Sequence, residues 1–154
     1  MTYTASSPGH RDRTATVTLT PSGVMITPAA YGPPDEREVL QPEAPEVPPR
    51  FATSLAHGIV PLVVWTAQLD PSTKRGADIT VQPLRAGLSL NVLLRNTNPA
   101  IGTVDSSVVI EGGSEHAPTQ FTPLSAGSTV ISVDTPSGFT TPSNATRVTA
   151  FVQP

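Results

Sequence analysis

The stretch Leu88-Ser89-Leu90-Asn91-Val92-Leu93-Leu94-Arg95-Asn96-Thr97-Asn98-Pro99 decides the fold. Leu88, Leu90, Val92 and Leu94 alternate with Ser89, Asn91, Leu93 and Arg95. That is the two-residue period of a strand with one buried face. Asn98-Pro99 then ends it, because proline fixes φ and donates no ladder hydrogen bond. The same pattern recurs on both sides. Downstream, shorter strands are predicted over 101–104, 107–110, 119–123, 129–133 and 145–152, with turn clusters at 96–99, 111–114, 125–127 and 135–138. Upstream, Ile59 to Leu69 is a long apolar run. Its second half is expected to turn Val63, Trp65, Ala67 and Leu69 inward. A polar turn over 70–76 follows, then a strand marked by Ile79, Val81 and Pro83. No 3.6-residue apolar period occurs. Short strands punctuated by turns at this spacing predict an antiparallel β-sandwich.

Composition agrees. The 154 residues suit one domain, or one domain and an arm, and include 18 Pro, 11 Gly, 21 Thr, 14 Ser and 16 Val. All five are poor helix formers. The absence of Cys excludes disulfide frameworks, thiolate zinc sites and cysteine nucleophiles. A net charge of −3 with a single lysine, Lys74, gives no basic surface for nucleic acid or anionic lipid. No apolar run reaches the ~18 residues of a transmembrane helix. Residues 1–10 lack the apolar core of a signal peptide, so none is expected in this stretch. Thr/Ser/Val-rich, Lys-poor chemistry points to an extracellular bacterial β-domain.

The first third is organised differently. Residues 1–13 are polar and aperiodic and read as a flexible leader. Thr14 to Thr20 alternates strictly, with Ala15, Val17 and Leu19 on one face, and predicts a strand. Pro21-Ser22-Gly23 breaks it, and Val24-Met25-Ile26-Thr27 continues it. Residues 28–50 hold seven Pro, five carboxylates and two Arg, hence the whole net charge of −3. Prolines this dense favour an extended polyproline arm, either an acidic linker or a segment docked on a neighbour. The sandwich proper is expected over 51–154.

Several phrases of the C-terminal half resemble those of bacterial immunoglobulin-like (Big) domains. They are Leu90 to Asp105, with its Asn98-Pro99-Ala100-Ile101-Gly102-Thr103-Val104, then Val108 to Gly113, Thr119 to Gly127, and Gly127 to Val133. The resemblance covers roughly half the chain, about residues 78–152. It implies an immunoglobulin-like sandwich, carrying here an N-terminal strand and a Pro-rich arm. It also implies one non-enzymatic module of a secreted or surface protein, whose partners are neighbouring modules or other copies. Assembly is a variant of this reading: the early strand and arm would pair with an edge of the next copy, giving a head-to-tail filament. Val17, Leu19, Val24 and Ile26 are the interaction candidates for that pairing.

The residues that could carry chemistry are scattered. His10, His57 and His116 sit in loop-like contexts, and there is no Gly-x-Ser-x-Gly elbow. The acids concentrate in the Pro-rich segment, which builds no rigid cleft for paired carboxylates. No phosphate-cradling glycine loop occurs. Neither a catalytic residue nor a cofactor is expected. Calcium is the one ion the pattern admits. Asp70, Asp105 and Asp134 are the candidate ligands, with Asp78, Glu111 and Glu115 also near strand ends. A glycan- or receptor-binding module is the alternative function. It would use Phe139 and Phe151 as an exposed pair, since Trp65 and Phe121 are expected in the core. Asn144-Ala145-Thr146 is a glycosylation sequon.

Overall fold

The computed structural model describes residues 2–6, 8–9, 11–16, 19–31 and 49–154. The chain forms β1 (Thr2–Ala5), β2 (Arg13–Thr16), β3 (Ser22–Pro28), β4 (Arg50–Ser54), β5 (Val60–Leu69) and β6 (Gly76–Val81). It continues with β7 (Ser89–Asn96), β8 (Gly102–Thr103), β9 (Ser107–Glu111), β10 (His116–Pro123), β11 (Gly127–Val133) and β12 (Arg147–Gln153). A 3-10 turn, Ala29–Tyr31, follows β3. No α-helix forms among the described residues, as the Thr, Val and Pro content predicts.

One sheet runs β3-β5-β10-β8, with β6 also paired to β5; the other runs β4-β12-β11-β7-β9. Among the described residues every pairing is antiparallel except that of β4 with β12. The inner faces meet in one core. Val24, Ile26, Leu62, Val64 and Phe121 come from the first sheet, and Phe51, Val92, Ile110, Ile131, Val148 and Ala150 from the second. Phe51 and Phe121 meet edge to face across it, their centroids 5.6 Å apart. Burying side chains of this size stabilises by about 1.5–3 kcal/mol each. Gly102 lies against this core so closely that a Cβ there would strike the Phe121 ring and come 2.7 Å from the Thr122 carbonyl oxygen. The architecture is thus an all-β sandwich.

The strands of the C-terminal half match their sequence reading closely. The alternation at 88–95 puts Val92 and Leu94 inside. The first third departs from it. Thr2–Ala5, expected within a flexible leader, is a strand, paired with β2 from Thr2↔Thr16 to Ala5↔Arg13. The strand expected over 14–20 is described only as far as Thr16, and all four residues of β2 are exposed. The reason is chemical: threonine favours extended backbone, but Ala15 is the one apolar side chain β2 has to bury.

β3 is no outlier to the sandwich. It pairs along its whole length with β5, from Ser22↔Gln68 to Pro28↔Leu62, and is buried from Gly23 to Pro28. The sandwich therefore begins at Ser22 rather than 51. Apart from Pro28, Pro49 and Arg50 and the turn at Ala29–Tyr31, the arm lies outside the described residues. Its flanks do not: one ends β3 in the first sheet and the other starts β4 in the second.

β5 also corrects its reading. Leu62, Val64 and Thr66 face the core, whereas Val63 and Trp65 face outward. Both faces of β5 are apolar, so alternation could not fix its phase. A register shift between Ala67 and Leu69 breaks the period further. The outward phase suits Trp65, whose indole N–H needs an acceptor and donates to Thr27 Oγ1 at 3.0 Å.

The two ends of the sandwich are finished differently. At one, the loop over 134–146 lies along β3. The Ile26 N–H donates to the Ala145 carbonyl at 2.8 Å, and the Thr140 N–H to that of Ser22 at 2.8 Å. Pro142 is buried there, and a Cβ on Gly23 would come 2.7 Å from its Cγ. The other end carries the turns after β4, β7 and β10 and the end of β12. Leu55, Ile59 and Leu124 are exposed there.

Candidate interaction surfaces

The polar side chains nearest the predicted sites hold loops in place. Asp70 Oδ1 accepts the backbone N–H groups of Ser72 at 2.9 Å and Thr73 at 2.6 Å, and the Thr73 hydroxyl at 2.9 Å. The Thr73 N–H, followed by its hydroxyl and the Ser72 N–H, holds the Asp70 carboxyl below its ordinary value. Asp134 takes a two-pronged guanidinium contact from Arg95, each arm 2.7 Å. That bond lowers the Asp134 pKa and raises that of Arg95. Asp105 Oδ2 accepts the Thr119 hydroxyl at 2.8 Å. The three calcium candidates thus stand on separate loops, each engaged by its own neighbours. Among the described residues no three His, Asp or Glu side chains gather as a metal site would require.

A similar use of polar groups organises the turn after β7. The Asn96 side chain donates to the Gly102 carbonyl at 2.6 Å and accepts the Asn98 N–H at 3.1 Å and the Thr129 hydroxyl. Thr97 and Thr129 hydroxyls meet at 3.2 Å. Asn144 Oδ1 accepts the Gly76 N–H at 2.8 Å, so the sequon asparagine ties its loop to the start of β6. His57 closes the turn after β4, its N–H donating to the Ser54 carbonyl. The His116 ring lies 5.0 Å from Trp65, with Nδ1 3.5 Å from Glu115. These histidines belong to different elements and do not converge.

The interaction candidates separate into buried and exposed. Val24 and Ile26 are core residues, 1% and 0% exposed, and are unavailable to a partner. Val17 lies outside the described residues. Leu19 is 76% exposed. Phe139 packs against the core from the loop at one end of the β11–β12 hairpin. Phe151 is 44% exposed on the outer face of β12, opposite Ser128 and Ala52, towards the other end of that hairpin. The two phenylalanines are therefore not side by side.

One surface was missed by the sequence reading: the outer flank of β7 and β9. Leu93 and Val109 are about half exposed, and the register Asn91↔Val109 and Leu93↔Ser107 makes them diagonal neighbours. The signal was present. Leu93 is an apolar residue in the polar phase of its strand, and Val108-Val109-Ile110 must turn its middle residue outward.

β9 is also a sheet edge. The Leu94 N–H donates to the opposite Ser106 carbonyl at 2.9 Å. Parity then makes Val92↔Val108 and Leu90↔Ile110 the hydrogen-bonded pairs of this ladder. The N–H and C=O groups of Ser107, Val109 and Glu111 therefore point away from the sheet; the Glu111 carbonyl takes the Ser114 N–H of its own turn. β3 has its outer edge covered by the 134–146 loop, β8 has two residues, and β4 carries an arginine. β9 offers five residues without lysine, arginine or proline, so it lacks the usual protection against strand addition.

No protein-family model matches this chain, and no curated protein matches it in sequence. Among the described residues no helix is long and apolar enough to cross a membrane.

Proposed function

We propose that the chain is a non-enzymatic structural module of an extracellular or cell-surface protein, built on an immunoglobulin-like sandwich and joined head to tail to further copies through its N-terminal strand. The strand order supports the immunoglobulin-like part. In this reading β5 and β10 would take the B and E positions of one sheet, and β12, β11, β7 and β9 the G, F, C and C′ positions of the other. The first strand position is divided, with β3 beside β5 and β4 beside β12.

One observation carries the functional reading. The polar side chains that might have formed a site are bonded within the loops of the sandwich, fixing 70–75, 96–102 and the Arg95–Asp134 contact. This is the economy of a scaffold. The β1–β2 ribbon, by contrast, has its extensive contacts within itself, and β2 is exposed throughout. The glycan-binding alternative rested on Phe139 and Phe151 lying together; with the two parted, no observation favours it.

Sedimentation velocity and negative-stain microscopy of the full chain, beside a chain lacking residues 1–18, test the proposal. The full chain is expected to form strings of copies that lengthen with concentration, and the shortened chain to sediment as a monomer. If the shortened chain forms the same strings, the N-terminal strand is not the link.

A further inference from the structure

We infer that the acceptor for the N-terminal ribbon is the β9 edge of a second copy, with β2 adding antiparallel to β9 so that Arg13 lies opposite Glu111 and Ala15 opposite Val109. This rests on the head-to-tail reading above and names its contact.

Two incomplete sheets carry the inference. The β1–β2 ribbon is two strands of four residues whose extensive contacts are only with each other. A two-stranded ribbon is marginal in water unless a third strand or a core supports it. The second sheet ends at β9, where the backbone groups of Ser107 and Val109 face outward with no strand beside them among the described residues. Each fragment supplies what the other lacks: one needs a third strand and the other needs an edge partner.

Charge and shape select the register. On the outer face β9 presents Ser107, Val109 and Glu111 in order. β2 is Arg13-Thr14-Ala15-Thr16, exposed throughout. Antiparallel alignment with Arg13 at Glu111 pairs opposite charges and sets Ala15 on Val109, where Leu93 extends the apolar contact. Thr14 and Thr16 then fall opposite Ile110 and Val108, at the rim of the core. The outward N–H and C=O of Val109 and the outward N–H of Glu111 then face β2. Reversing the direction puts Arg13 beside Ser107 and leaves Glu111 without a cation. Donor and acceptor are different surfaces, so the contact repeats along an open string instead of closing a dimer.

The absence of cysteine makes a clean test. Ala15→Cys and Val109→Cys are made singly in the full chain, and the two proteins are mixed under mild oxidation. The expected product is a disulfide-linked heterodimer, with neither variant linking alone. The double variant should give a ladder of linked chains on a non-reducing gel. Val109→Pro removes an outward N–H and no bond to β7, so the sandwich persists. Losing one or two bonds of this kind should weaken association roughly tenfold. Glu111→Arg should weaken it less, about two- to fivefold, and Arg13→Glu in the same chain should restore it. Three results overturn the inference. Val109→Cys linking alone would mean that β9 pairs with β9. A double variant that closes its bond within one chain would mean that the ribbon folds back. Strings that form in the wild type but ignore Val109→Pro and give no cross-link would place the acceptor elsewhere and leave the head-to-tail reading standing. A wild type that stays monomeric at every concentration overturns both.

Discussion

β2 and β3 lie only a few residues apart, and both come from the Thr-rich opening of the chain, yet they end in opposite circumstances. β2 is exposed at all four positions, whereas β3 is buried from its second residue to its last. Strand propensity is common to both, so it is not the cause. β3 offers Val24, Met25 and Ile26 in succession, apolar on both faces, and so can be covered on both. Val24 and Ile26 meet the second sheet, and Met25 is buried on the opposite side, where its Sδ would lie 2.5 Å from a Cβ on Gly76. β2 offers threonines and one alanine, which is enough to form a strand but not to anchor one.

The largest break in that comparison should come from Ile26→Ala. Removing a fully buried isoleucine should cost about 2–5 kcal/mol, read as a lower urea midpoint at unchanged slope. Ala15→Gly, or deletion of residues 1–18, should leave the midpoint of the sandwich within error. If the deletion unfolds the sandwich, the ribbon is structurally part of it. Glycine gives a second contrast. Gly23→Ala puts a Cβ 2.7 Å from Pro142 Cγ and 2.8 Å from Leu69 Cδ1, and should cost about 1–3 kcal/mol in thermal or chemical melts. Gly9→Ala meets nothing within 4 Å and strains only its own turn at φ +79°, so the sandwich should melt as before. A smaller, opposite effect is expected at Ala145, which holds φ +51° to present its carbonyl to β3. Glycine there should stabilise by up to about 1 kcal/mol. The smallest effect is one of pH. Asp70 and Asp134 have pKa values lowered by folding, so each contributes stability that is present above the unfolded carboxylate value and lost as pH falls through the folded one. Asp70→Asn should therefore lower the melting temperature slightly at neutral pH and converge on the wild type in acid, which flattens the acid limb of a plot of melting temperature against pH. An unchanged acid limb would show that the turn bonds of Asp70 do not outlast solvent competition.

How far the fold was legible depended on how many faces each strand buries. β7, β11 and β12 bury one face, and their alternation gave both location and phase. β5 is apolar on both faces, so its position was readable but its phase was not, and Trp65 was placed inside when it lies outside. β3 was recognised as a strand but set outside the sandwich, because seven prolines between 28 and 50 read as a boundary. Proline density reports the local backbone; it says nothing of whether the chain returns to the same core. The interaction candidates divided for the same reason. Val24 and Ile26 looked sticky because they are apolar, but both are buried; among the apolar residues left exposed, Leu93 and Val109 are two that break a strand pattern. The edge character of β9 was not readable at all, since it depends on sheet order and not on local sequence.

The return of the chain to the same core has a consequence for cleavage. β3 is held in the first sheet by its ladder to β5, and β4 in the second by its ladder to β12. A protease cut between Tyr31 and Pro49 would therefore release nothing. It would leave a nicked protein of two fragments held by the same core, which should come apart only when the whole sandwich melts. The same two fragments, made separately and mixed, should rebuild the sandwich. What the sequence presents as a tether between parts is, in topology, a place where this protein can be split in two and still be one fold.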